Sequence, residues 1–275
     1  MQKTIKSFDG TKINYEISRE KNKNSHLIFI HGVAADLKMW ENLRKFFHKK
    51  GISTLAVDLR GYGKSGKPKS LNEYDLKNFA KDIKEILQRE DISNPILIGH
   101  SLGGMILLTF HRLYPKIARL YVIISSSYEA PKLLKSIRKN ILMFANILNK
   151  RLDSTIFTNI KGNSFEGVNW NFGNNNPLKI IPEMINRSVN PLIFTLENIH
   201  KFNEKRILNK IEKPVLILSG GNDFIINASN SKKLNKLIKK SKLKIFPKKS
   251  HLLISEIPEE IGEEIYSFMK SSELS

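Results

Sequence analysis

Residues 95–108 read PILIGHSLGGMILL, two apolar bursts separated by an ionisable His100 and a hydroxyl at Ser101. The run Ile96 to Ile98, bounded by Pro95 and Gly99, predicts a short buried strand. The three-to-four spacing of apolar positions from Leu102 to Tyr114 predicts a helix. Between them Gly99-His100-Ser101-Leu102-Gly103 has the pattern G-x-S-x-G. A serine on so sharp a strand-to-helix turn crowds the residues two before and two after it, and only small residues fit there. The turn either joins two elements economically or exists to present the serine, and the rest of the chain has to decide.

Outward from this turn, short aliphatic or β-branched runs predict strands at Lys3–Phe8, Lys12–Ser18, His26–Ile30, Ser53–Asp58, Arg119–Ser125, Pro214–Ser219 and Lys242–Phe246. Asp9-Gly10 between the first two is a hairpin turn. Amphipathic helical patterns cover Trp40–Lys50, Leu76–Arg89, Ala228–Lys240 and Glu259–Lys270. Alternation of this kind predicts an α/β fold, a mostly parallel eight-stranded sheet with helices on both faces. The alternation fails only over residues 128–206, where no strand is expected and Asn, Gly and aromatic residues collect. That stretch is too long for a simple crossover. The expected organisation is a core domain of residues 1–127 and 207–275 carrying a helical cap, residues 128–206.

The chain has 275 residues, no cysteine and a formal charge of +20. Without cysteine there are no disulfides and no thiolate chemistry. No run of about 18 apolar residues exists for a membrane span, and the first residues lack the apolar run of a signal sequence, so the expectation is a cytoplasmic protein. The charge comes mainly from scattered lysine pairs without any nucleic-acid motif, and the expected reading is a solvated lysine surface with no nucleic-acid partner. No metal-ligand spacing and no phosphate-binding glycine loop is present, so neither metal nor cofactor is expected.

A serine hydroxyl attacks only when a histidine takes its proton and a carboxylate orients that histidine. Of the seven histidines, His251 follows the last predicted strand on a loop at the carboxyl end of the sheet. Asp223, in Gly220-Gly221-Asn222-Asp223, leaves the carboxyl end of the preceding strand. Glu129 is the alternative acid. The order Ser101, Asp223, His251 is that of a nucleophile-elbow hydrolase. Oxyanion donors are expected from the Leu102 N–H at the head of a helix and the Val33 N–H in His31-Gly32-Val33. His31 is expected to hold its loop by hydrogen bonds, and Asp58 to be structural.

Four segments, His31-Gly32, Asp58-Leu59-Arg60-Gly61-Tyr62-Gly63-Lys64-Ser65-Gly66-Lys67-Pro68, Gly99–Gly104, and Gly220–Asp223 with Ser250-His251, together resemble the α/β-hydrolase family with a helical cap. The resemblance runs over essentially the whole chain. It implies a serine hydrolase cleaving carboxylic esters of apolar acyl or aryl groups through an acyl-enzyme. Family members that open epoxides or displace halide use aspartate where this chain has Ser101. Phe144, Trp170 and Phe172 are candidates to line the substrate pocket. A thioesterase, lactonase, C–C hydrolase or perhydrolase, and a ligand-binding receptor with a slow triad, remain open alternatives, as do acyl-chain preference and oligomeric state.

Overall fold

The computed structural model describes residues 1–20, 22–131 and 189–273. Phe144, Trp170 and Phe172 lie outside these residues. Eight strands form one sheet: β1 (Gln2–Lys6), β2 (Lys12–Ser18), β3 (Asn22–Ile30), β4 (Ile52–Val57), β5 (Ile96–His100), β6 (Leu120–Ile124), β7 (Val215–Gly220) and β8 (Ser241–Phe246). Their spatial order is β1-β2-β4-β3-β5-β6-β7-β8. β1 and β2 form the hairpin and pair antiparallel onto β4, and every other pairing is parallel. β3 begins four residues before its sequence expectation. The polar residue Asn22 pairs with Ile52, and a register shift separates that pair from His26–Ser53.

Seven α-helices lie in the described residues: α1 (Glu41–Lys49), α2 (Leu76–Arg89), α3 (Leu102–Leu113), α4 (Val189–His200), α5 (Ala228–Leu237), the single turn α6 (Leu253–Glu256) and α7 (Pro258–Glu273). Because side chains alternate along a strand, each central strand buries both of its faces. Ile28, Ile30, Leu97 and Ile217 share one core with Phe79 and Ile83 of α2, Met105 of α3 and Leu234 of α5. Phe29, Ile98, Val122 and Leu218 share the other with Phe47 of α1 and Ile265 of α7. At the edge, β8 alternates exposed Lys242 and Lys244 with half-buried Leu243 and Ile245, and outward charge on an edge strand disfavours pairing with other chains.

Two features of this topology place the site. From β3 the chain steps outward to β4, then returns to β5 on the other side of β3 and proceeds to β6, β7 and β8. Successive connections therefore diverge between β3 and β5, which opens a crevice at their carboxyl ends. Second, backbone bonds join the two described ends of the stretch 128–206. The Glu204 N–H donates to the Tyr128 carbonyl at 2.8 Å and the Ala130 N–H to the Phe202 carbonyl at 3.1 Å. α4 then packs on the loop after β4: the Tyr62 hydroxyl donates to Thr195 Oγ1 at 2.8 Å, and the rings of Tyr74 and Phe194 lie 5.5 Å apart. No described helix is long and apolar enough to cross a membrane.

Candidate active site

Ser101 sits between β5 and α3 with φ 52° and ψ −113°. This is left-handed backbone that a side-chain-bearing residue adopts only when its surroundings compel it, at a cost of order 1–3 kcal/mol. The compulsion is visible. The Ser101 N–H donates to the Ile124 carbonyl at 2.9 Å, and its own carbonyl accepts from Ser126 Oγ at 2.7 Å. The flanking glycines are needed for closeness. A Cβ on Gly99 would stand 2.5 Å from the Gly103 carbonyl oxygen, and one on Gly103 would stand 2.1 Å from that of Ile30.

The loop after β3 closes over this turn. An ideal Cβ on Gly32 would lie 3.2 Å from Ser101 Cβ and 3.0 Å from His100 Nδ1, so Val33 follows directly from a backbone in contact with the serine. His31 fixes the loop: its Nδ1–H donates to the Gly32 carbonyl at 2.7 Å, while its Nε2 accepts from the Leu59 N–H at 3.0 Å. Those two bonds specify a neutral ring, and burial holds its pKa below the ordinary value. Leu102 is the first residue of α3, where an amide N–H has no helical acceptor.

Across the crevice, His251 Nδ1 and Asp223 Oδ2 are 2.8 Å apart. The other carboxylate oxygen, Oδ1, accepts from the N–H groups of Ile225 at 2.9 Å and Ile226 at 2.8 Å. Asp223 thus makes a local side-chain turn and engages the imidazole with the same carboxylate. Asn227, rather than Asp223, caps α5 by accepting from the Ser229 N–H. Glu129, the alternative acid, forms an isolated backbone bridge with Asn203, and its carboxylate lies against the Tyr128 hydroxyl. His251 lies against the serine turn, its ring 4.8 Å from that of His100 and its carbonyl 2.9 Å from His100 Nε2. The structure thus joins Asp223 to His251 directly, ties the His251 backbone to the serine turn through His100 and packs Gly32 beside Ser101; among the hydrogen bonds of the described residues, none joins the Ser101 hydroxyl to His251.

Sequence reasoning passed over three contributors. Ser126 holds the serine turn through its carbonyl, and its only signal was the serine run Ser125 to Ser127 at the end of β6. His100 was read as a motif position, yet it contacts both loops. Arg60 enters the sequence reading only as one residue of the Asp58–Pro68 segment. It is fully buried, with Nε and Nη2 on Asp82 at 2.7 Å each and Nη1 on Asp9 at 2.7 Å. Asp58 ties the same loop down, accepting from the N–H groups of Leu37 and Lys64 and from Asn14 Nδ2, each at 2.8 Å. Among the described residues no group of three His, Asp or Glu side chains is arranged to hold a metal ion.

The family model of the alpha/beta hydrolase fold matches residues 25–258. The chain belongs to the α/β-hydrolase fold family. It is 27% identical over 253 residues to the AB hydrolase superfamily protein YisY of Bacillus subtilis, covering 89% of this chain and 91% of that one. It is 25% identical to a proline iminopeptidase of Saccharolobus solfataricus, covering 98% and 92% of the two chains. Among solved structures it superposes on an esterase from Exiguobacterium antarcticum with a TM-score of 0.78 at 21% identity, covering 98% of this chain and all of the other. That last likeness is one of fold.

Proposed function

We propose that this α/β-hydrolase cleaves carboxylic esters of small to medium apolar acyl or aryl groups by an acyl-enzyme route. The observation that carries the reading is the strained Ser101 turn standing beside a buried His251–Asp223 pair at the topological switch of the sheet. Ser101 Oγ attacks the ester carbonyl as His251 Nε2 takes its proton. Asp223 holds the Nδ1–H tautomer and stabilises the imidazolium. The tetrahedral oxyanion is received by the N–H groups of Val33 and Leu102, helped by the α3 dipole. The alcohol leaves with the proton from His251, and a water attacks the acyl-enzyme with His251 again as base.

The core is residues 1–127 with 207–275, and residues 128–206 form a cap over the carboxyl rim. Support comes from the backbone pairing of Tyr128–Ala130 with Phe202–Glu204, which closes the base of the insertion. Further support comes from α4, the described part of that insertion, which rests on the loop after β4. A cap of apolar and aromatic composition favours acyl and aryl groups over sugars.

Thioesters, lactones and amides pass through the same tetrahedral geometry, and the proline iminopeptidase relative keeps the amide reading in view. The test is turnover of a panel of p-nitrophenyl esters, acyl thioesters, lactones and prolyl arylamides. Ester hydrolysis that vanishes in Ser101→Ala supports the proposal. Hydrolysis confined to prolyl amides or thioesters would replace the substrate class, and activity retained in Ser101→Ala would discard the nucleophile.

A further inference from the structure

The loop bearing His251 has no regular secondary structure, yet its imidazole must face two partners at once. Its tie to the acid is redundant. The Asn222 N–H donates to the Lys249 carbonyl at 2.9 Å and the Gly221 N–H to the Phe246 carbonyl at 2.8 Å, in addition to the His251–Asp223 bond. Below the loop, Ser250 donates to Glu256 of α6. Its tie to the nucleophile is single. Among the hydrogen bonds of the described residues, the one joining this loop to the serine turn runs from His100 Nε2 to the His251 carbonyl, 2.9 Å long and spanning 151 residues of sequence.

A carbonyl only accepts, so His100 carries its proton on Nε2, and Nδ1 is left as a bare lone pair. That atom is buried and without a hydrogen-bond partner, and it faces Gly32, whose ideal Cβ would stand 3.0 Å away. The same ring lies 4.8 Å from the His251 ring. His100 is therefore wedged between the base and the loop that carries Val33, while its own backbone leads into Ser101.

We propose that His100 is a positioning residue that sets the distance between nucleophile and base by fixing the His251 backbone to the serine turn. The proposal rests on the assignment of Ser101, Asp223 and His251 given above. A neutral ring is required, since a second proton would place an imidazolium against the imidazolium that His251 becomes during turnover. Burial, with His251 next, holds the His100 pKa down to about 3. The spare lone pair at Nδ1 fits this role, because protonating it would spoil the wedge and no acceptor is there to receive the hydrogen.

Two variants separate positioning from packing. His100→Phe keeps a flat ring and loses the donor, whereas in His100→Gln the side-chain amide nitrogen can stand in place of Nε2. Both are measured on the ester that the native enzyme turns over best, with kcat normalised to sites titrated by a fluorophosphonate. Since about 1 Å of misplacement costs roughly a hundredfold in rate, His100→Phe is expected to lower kcat by about 10- to 100-fold with KM within about twofold. His100→Gln is expected to recover most of that loss. Native kcat in His100→Phe, equal loss in both variants, or a loss accounted for by fewer titratable sites would each overturn the proposal. Ser101→Ala is run alongside: if it still hydrolyses ester, the site assignment itself has failed, whatever the His100 variants do.

Discussion

Two buried polar clusters flank the loop after β4, and they differ in how completely their valences are used. Around Arg60 every strong group is matched. The guanidinium meets Asp82 with two bonds, Asp9 with a third and the Glu73 carbonyl with a fourth. Nearby, Tyr15, Lys3 and Arg19 all converge on Glu90. At the carboxyl rim the matching is incomplete. Ser101 is held in strained backbone, His100 Nδ1 has no partner, and the amide that opens α3 has none in its helix. Saturated polar clusters fasten a fold, whereas a cluster with strain and spare valence is prepared for something that has yet to arrive.

The contrast is broken most severely at the serine. Ser101→Ala should remove the nucleophile and lower ester hydrolysis by at least about 10³-fold while leaving the melting temperature level or raised, since strain is tied to function. At the other cluster the signs reverse. Asp82→Ala leaves the buried Arg60 with only Asp9 as a charged partner and should cost about 3–5 kcal/mol of stability, read by urea unfolding, with kcat per folded molecule little changed. A loss of activity without loss of stability there would erase the distinction.

Acid sharpens it further. Burial lowers the pKa values of His26, His31, His48, His100 and His111. In each case the unfolded chain binds the proton more readily, so this contribution is complete above the ordinary histidine range and drains away as pH falls. For His100 the window extends from about 6.5 down to about 3. Unfolding free energy should therefore drop by a few kcal/mol between pH 7 and pH 4. The drop should be smaller in His100→Gln, which has nothing to titrate, and an identical pH profile in that variant would contradict the account. The smallest effect is expected at Ser126→Ala. It removes the hydroxyl bond to the Ser101 carbonyl, worth about 0.5–1.5 kcal/mol, and should lower kcat a few-fold without altering KM.

The same contrast explains what could be read from the sequence. The central strands were legible because burial on both faces leaves near-continuous aliphatic runs such as Leu120–Ile124 and Val215–Leu218. The serine turn was legible because steric crowding writes itself into neighbouring glycines. Asp223 and His251, which the structure places 2.8 Å apart, are singled out in the sequence by their positions after strands and by chain order. Arg60 could not be found in this way, since its partners Asp9 and Asp82 lie 51 and 22 residues away and no local pattern marks them. Ser126 and His100 bond to backbone carbonyls of distant residues, which carry no sequence signature. The polar start of β3 was missed because its register shift breaks the alternation.

The central claim is that Ser101 is made nucleophilic by the neighbouring imidazole. The most direct measurement is reaction of the native protein with a fluorophosphonate at neutral pH, followed by mapping of the modified peptide. One adduct, on Ser101, that forms far more slowly in His251→Ala is the predicted result. No adduct, or one on any other residue, would contradict it.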